Sequence, residues 1–127
     1  MAKTQATTTP FASASVAAAA EATGSAIDVT AKAGCMIRVK ITSGATAPTV
    51  APTLRVISSE DNSIWDADVA GGRFVEKISL PIPAATVTAY YPFPFDVTFN
   101  SYIKPIVKNE DTTQSITVEI VAVTTSF

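Results

Sequence analysis

The chain has 127 residues, a formal net charge of −2, 47% hydrophobic residues, one cysteine and no histidine. This length suits one domain with its own hydrophobic core, and the apolar fraction is too high for a disordered chain. Histidine is the usual acid/base residue near neutral pH and the commonest metal ligand, so its absence excludes most hydrolase triads and zinc sites. The low net charge gives no electrostatic reason to expect a nucleic acid or an anionic membrane as partner.

Residues 1–24 form a segment dominated by Ala, Thr and Ser, in which the only charges are Lys3 and Glu21. It does not resemble a signal peptide, because Thr7–Pro10 stands where an apolar region should build. No stretch of the chain approaches the roughly 20 apolar residues of a membrane span. We therefore expect a protein that keeps this N-terminus and does not enter a membrane.

The large apolar residues of this segment are Phe11 and Val16. So few anchors cannot offset the entropy of ordering the segment alone. It is therefore either a floppy tail or an extended arm that orders against a neighbouring subunit, and we favour the arm. A short helix over residues 13–22 is also open, because alanine favours helices.

From Ala26 onward, apolar and polar residues alternate with a period of two, which is typical of half-buried antiparallel strands. The alternation is clearest in these runs: Ile27–Lys32, Cys35–Thr42, Leu54–Val56, Phe74–Leu80, Val97–Ile103 and Ile116–Ala122. About seven or eight short strands indicate a sandwich or jelly roll. The prediction is an all-β chain: a jelly-roll-like antiparallel β-sandwich over residues 25–127, preceded by the arm 1–24. Cys35 heads one alternation, so we interpret it as a buried small hydrophobe.

Two segments are unusually apolar for the surface of such a domain. Tyr90–Phe95 carries four aromatic residues around Pro92 and Pro94, and these prolines prevent it from pairing as an interior strand. An extended, polyproline-like strip is expected there, acting as a core-capping loop, an intersubunit contact or a ligand platform. Val121 and Val123 make the last strand apolar on both faces, so we expect another sheet or another chain to cover it.

Residues that could carry chemistry are few. The densest polar patch could in principle hold calcium or a pair of glycosidase carboxylates, but it lacks the spacing of an EF-hand loop and is better explained as a solvated hairpin turn. Its members are Glu60, Asp61, Asn62, Asp66 and Asp68. Neither a nucleophile elbow nor a phosphate-binding glycine motif occurs. Trp65 is interpreted as a core or interface residue. We predict no enzyme activity, catalytic residue, cofactor or metal.

Two stretches carry a family resemblance. Residues 55–68, R-V-I-S-S-E-D-N-S-I-W-D-A-D, resemble a hairpin that is frequent in small β-sandwich virion proteins of tailed bacteriophages. Residues 101–123, S-Y-I-K-P-I-V-K-N-E-D-T-T-Q-S-I-T-V-E-I-V-A-V, are similar to their C-terminal hairpin, in which an N-x-D-T-T turn leads into the closing strand. The two matches cover about a third of the chain, and similar hairpins occur in carbohydrate-binding sandwiches. The resemblance implies a non-enzymatic component of a virion.

The expected function is therefore that of a capsid decoration (cement) protein, made in the bacterial cytoplasm and located in the virion. Its expected partners are further copies of itself in a homotrimer and the major capsid protein or other virion proteins, but neither nucleic acid nor membrane. The alternative is a carbohydrate- or receptor-binding module of the tail or baseplate, with Trp65 and the tyrosines around a shallow groove. The interface candidates are Phe11, Val16, Tyr90, Tyr91, Phe93, Phe95 and Phe127.

Overall fold

The computed structural model of the protein describes residues 4–65, 78–95, 97 and 101–126. This part of the chain contains nine strands and no helix. In chain order the strands are β1 (Thr4–Val16), β2 (Glu21–Thr23), β3 (Ile27–Asp28), β4 (Gly34–Ser43), β5 (Thr53–Ser59), β6 (Ile78–Ser79), β7 (Thr88–Phe95), β8 (Tyr102–Lys108) and β9 (Ile116–Ser126). The predicted strand residues 74–77 and Phe99 lie outside the described residues.

The strands form two antiparallel sheets. Sheet A has the order β1-β9-β4-β7, and sheet B has the order β2-β8-β5-β6, with the two-residue β3 also paired to β8. The chain crosses between the sheets at most of its connections, so the two sheets are built together and pack face to face over one core. The prediction of an all-β antiparallel sandwich is confirmed.

The alternation predicted from the sequence sets which side chains enter the core. Along β4 and β9 every second residue is buried, and these residues are apolar with few exceptions. The buried residues of these two strands that belong to the core are Cys35, Ile37, Val39, Ile41, Ile116, Val118, Ile120 and Ala122. Because the side-chain period of a strand is two, their neighbours form the outer face of sheet A.

Strand β1 contains two register shifts, and the second of them places Phe11 and Val16 on the same face. Phe11 and Val16 are five positions apart, so a regular strand would point them to opposite faces. In the structure the pairing of β1 with β9 shifts between Thr8 and Phe11, and again between Phe11 and Ala14. Each shift places one extra residue in β1, as a β-bulge does. Both apolar side chains therefore face the core, where Val16 is buried and Phe11 packs partly buried against it.

The structure thus gives the N-terminal segment a different place from the one expected. Residues 4–23 contribute β1 to sheet A and β2 to sheet B of their own chain. The helix considered over residues 13–22 is not formed, because Ser13–Val16 continues β1 and Glu21–Thr23 forms β2. A lone alanine-rich segment would satisfy its backbone N–H and C=O groups by forming a helix. Here the backbone of β1 pairs with β9 and that of β2 pairs with β8 instead.

The connection between β1 and β2 is held by the turn between β8 and β9, which we call the 109–111 turn. Asn109 is fully buried. Its side-chain amide donates to the carbonyl oxygens of Val16 and Ala17 at 3.3 Å and to that of Gln114 at 2.8 Å. Its backbone N–H donates to the Ala20 carbonyl at 2.9 Å. One buried amide therefore fixes where the first strand ends and the second begins.

Asp111 binds a second loop to the same turn. Its Oδ2 accepts hydrogen bonds from the backbone N–H groups of Thr49, at 2.7 Å, and Val50, at 3.2 Å. Its Oδ1 accepts from the N–H groups of Thr113 and Gln114, each at 2.8 Å. Hydrogen bonds donated by the backbone of Thr113, Gln114 and Thr49 hold the pKa of this buried carboxyl well below its usual value.

Replacing the buried amide should destabilise the fold. In Asn109→Ala the carbonyl groups at the end of β1 lose their donor inside the protein, which we expect to cost about 2–4 kcal/mol of unfolding free energy. Urea unfolding followed by circular dichroism measures this value. The control Thr112→Ala alters an exposed residue of the same loop and should stay within about 0.5 kcal/mol of wild type. Equal losses in the two variants would contradict the role given to Asn109.

The depressed pKa of Asp111 predicts a stability loss in acid. As the pH falls, the unfolded chain takes up a proton at this carboxyl before the folded chain does. The stabilisation is therefore complete above the unfolded pKa of ~3.9 and disappears as the pH falls toward the folded pKa. We expect wild type to exceed Asp111→Asn in stability at neutral pH, and the difference to shrink between about pH 5 and pH 2.

Urea unfolding at constant ionic strength and several pH values tests this expectation. The control Glu60→Gln removes an exposed carboxylate and should stay close to wild type at neutral pH. A wild-type advantage over Asp111→Asn that is the same at every pH would show that the charge of Asp111 is not what stabilises the turn.

Candidate interaction surfaces

The aromatic segment 90–95 lies in β7, an edge strand of sheet A that pairs with β4 without interruption, from Thr42↔Thr88 to Cys35↔Phe95. The edge position agrees with the prediction that the prolines exclude an interior strand. It is a true strand and not the polyproline-like strip expected, because β4 supplies the hydrogen-bonding partner that this conformation lacks.

Side chains of β7 alternate between the core and the surface. Tyr91, Phe93 and Phe95 are half-buried and pack against the core. Burial raises the pKa of the Tyr91 hydroxyl. Tyr90 points outward and is 60% exposed, with the ammonium of Lys40 5.8 Å from its ring centroid. Of the four aromatic interface candidates in this strand, only Tyr90 thus presents most of its side chain to the surface.

The outer face of sheet A carries an apolar strip at one end, which we call the outer strip. The strand registers place Met36 between Pro94 and Val123, and Val121 beside Arg38. The strip consists of Met36, Pro92, Pro94, Val121 and Val123, with the exposed side chain of Arg38 between Pro92 and Val121. Its valines and methionine are half-buried and its prolines exposed, so no other part of the described chain covers it completely. The second sheet packs on the opposite face of sheet A.

The N-terminal interface candidates are largely used within the chain itself. Val16 is 3% exposed and belongs to the core, so its side chain is not a surface contact. Phe11 packs partly buried against the same core. The bulges of β1 explain both placements, and nothing in the sequence signals bulges. Phe127 lies outside the described residues.

Trp65 lies on the other side of the sandwich. Its half-buried ring packs against Ile57 and Ile106, which face outward from sheet B, and the ammonium of Lys104 lies 4.3 Å from the ring centroid. Tyr90 stands on the outer face of sheet A. Trp65 and Tyr90 therefore do not line a common groove, whereas Tyr102 lies in sheet B, where both it and Trp65 pair with Ser59.

The acidic patch forms a tight turn where it is described. The Asp61 carboxylate accepts hydrogen bonds from the N–H groups of Ser63 and Ile64, each at 2.9 Å, and these bonds lower its pKa. Asn62 adopts a left-handed φ of 60°, as tight turns require. Asp66 and Asp68 lie outside the described residues. Elsewhere, in the part of the chain that the structure describes, His, Cys, Asp and Glu form no group of three that could hold a metal ion.

An open cavity of about 480 Å³ separates the start of β1 from the chain around β3. Thr8 and Pro10 line one wall, and Ile27, Asp28 and Lys32 line another. Among its lining residues there is no aromatic side chain on which a sugar ring could stack.

Across the described residues, no helix is long and apolar enough to cross a membrane.

Cys35 is predicted to react slowly with thiol reagents. It is 4% exposed, as the sequence indicated, and burial raises the pKa of its thiol to about 11. Because the thiolate is the reactive form, we expect Ellman's reagent at pH 8 to modify the folded chain at least about 100-fold more slowly than the chain in denaturant. The control is Thr112→Cys in a Cys35→Ala background, which should react rapidly when folded. Rapid reaction of native Cys35 would contradict its burial.

No protein-family model matches the chain, and no curated protein is significantly similar to it. Among solved structures, it is similar to the SPBc2 prophage-derived protein YomS, with a TM-score of 0.50 and 14% identity over 99% of this chain and 96% of that one. It is also similar to a chain of infectious bursal disease virus, Gx strain, with a TM-score of 0.55 and 10% identity. That match covers 98% of this chain and 32% of the viral chain.

A family 16 carbohydrate binding module-2 is matched with a TM-score of 0.44 and 12% identity, over 89% of this chain and 71% of that one, which is too loose to support an argument. At such identities the first two likenesses establish a shared fold and nothing about activity.

Proposed function

We propose that this chain is a non-enzymatic structural protein of a bacteriophage virion, and specifically a capsid decoration protein with a jelly-roll topology that assembles as a homotrimer. The observation that carries the proposal is the shared fold, which extends over nearly the whole length of both this chain and a prophage-derived protein. The fold shared with a chain of infectious bursal disease virus also supports it. The repeated crossing of the chain between its two sheets supports the jelly-roll assignment.

The outer strip supports an assembly role. Val121 and Val123 lie on a central strand of sheet A, where a monomer that remained alone would normally carry polar residues. Tyr90 lies on the same face of β7 as Pro92 and Pro94, and its ring is largely exposed. Burying this face against other copies or the capsid protein would remove apolar surface from water.

Such a protein acts through repeated contacts and not through chemistry. A contact of about 1,200–2,000 Å² is typical of a specific interface. Repetition of the contact over a shell multiplies its effect through avidity. The proposed partners are copies of the chain and the major capsid protein, and the site of action is the virion. Neither a nucleic acid, a membrane nor a cofactor is required.

The solution mass of the purified protein tests the proposal first. Light scattering should give three times the 13.2 kDa of one chain, or a multiple of that mass. Val121→Lys places a charge in the outer strip and should lower the mass and abolish co-sedimentation with particles of the encoding phage. Thr112→Lys adds the same charge to an exposed turn and should change neither.

Two outcomes would contradict the proposal. A wild-type protein that remains a single chain and binds glycans on an array would indicate a carbohydrate-binding module. A trimer that does not co-sediment with complete particles would retain the oligomer but refute the decoration role.

A further inference from the structure

The four sheet edges of this sandwich are not equally protected. An edge strand presents unpaired N–H and C=O groups that can pair with another chain, and proteins usually shorten or block such edges. In the described chain, β2 and β3 have three and two residues at one edge of sheet B, and β6 has two at the other. The β7 edge of sheet A contains Pro92 and Pro94, which have no N–H to donate. Over the described residues these three edges are therefore short or blocked, and β6 begins directly after residues 66–77, which the structure does not describe.

The β1 edge is the exception. β1 has 13 residues and pairs with β9 along one edge. At its other edge, the carbonyl of Pro10 accepts hydrogen bonds from the Ser25 N–H at 2.8 Å and from the Ser25 hydroxyl at 3.2 Å. Before this point, Thr4–Thr8 is paired with β9 on one side, Thr9 lies at the first register shift, and no other described residue hydrogen-bonds to Thr4–Thr9. We call this segment the free edge. All its side chains are exposed.

The composition of the free edge leaves it without the usual protection. Its sequence, T-Q-A-T-T-T, contains no charge and no proline. Threonine favours strands, and threonine pairs across antiparallel strands are stabilising. Lysine, which commonly prevents edge pairing, does not occur between Thr4 and Val16, although Lys3 directly precedes this strand in the sequence.

We propose that the free edge pairs with the free edge of a second copy of this chain, antiparallel and around a two-fold axis, so that two four-stranded A sheets become one continuous sheet. A second copy suits this edge because the segment is uncharged, so identical strands meet without like-charge repulsion. The contact deepens the assembly role proposed above and rests on it, since it joins copies within an assembly. Where copies also form trimers, it joins the trimers in pairs.

Charge substitution and its reversal test a two-fold contact. Ala6 and Thr8 are exposed and face away from the outer strip, because their β9 partners, Thr124 and Ala122, face inward. In Ala6→Lys/Thr8→Lys, positive charges of both copies meet across the axis. In Ala6→Glu/Thr8→Glu, negative charges do. At low salt each double variant alone should have half the wild-type mass by light scattering, and an equimolar mixture should regain the full mass.

The matched control is Thr112→Lys/Ser115→Lys, which adds the same charge in an exposed turn and should keep the wild-type mass. Three results would overturn the pairing: a wild-type protein that is a single chain over the whole concentration series, a lysine variant that keeps the wild-type mass, or halved variants whose mixture does not recover. The last would mean that the edge binds a different partner.

This experiment separates the two proposals. If the halved species contains three chains, both the trimer and the edge pairing hold. If it contains one chain, the pairing holds and the trimer fails. If the wild type is a trimer whose mass the lysine variant leaves unchanged, the trimer holds and the pairing fails.

Discussion

The 109–111 turn is the constraint on which the arrangement of this sandwich depends. Its two buried polar side chains, Asn109 and Asp111, bind the end of β1, the connection to β2 and the loop at Thr49–Val50 to the start of β9. Buried polar groups are costly unless all of them are satisfied, and here every described buried side-chain nitrogen or oxygen has a partner. The turn thus positions β1 and β9, the first and last strands of the described chain, relative to each other. Their arrangement in turn positions the outer strip and the free edge.

Strand β1 combines a fixed end with an accessible one. Its C-terminal end is held by Asn109 and by the buried side chain of Val16, whereas Thr4–Thr9 is exposed on both faces. The two bulges between these parts turn Phe11 toward the core. A segment that looks like a detachable arm by composition is therefore anchored at one end, and its exposed half stays available for contact along a defined line.

The assembly role and the core use the same strands. β4 and β9 supply the inward residues that hold the two sheets together, and the alternate residues of these strands form the outer strip. Because strand geometry sends neighbouring side chains to opposite faces, a change in the outer strip need not disturb the core. This separation makes Val121→Lys a test of assembly, with little expected effect on folding.

The sequence by itself determined the fold class, because a period of two fixes which residues face inward wherever a strand is regular. It also determined the edge position of β7, since proline cannot donate to an interior ladder, and the burial of Cys35 within an apolar alternation. Tertiary structure decided the rest. Phe11 and Val16 reach the core through bulges that pairing with β9 imposes, and the N-x-D turn became a buried anchor because distant loops converge on it. These features depend on contacts between residues far apart in sequence, so no local sequence pattern predicts them.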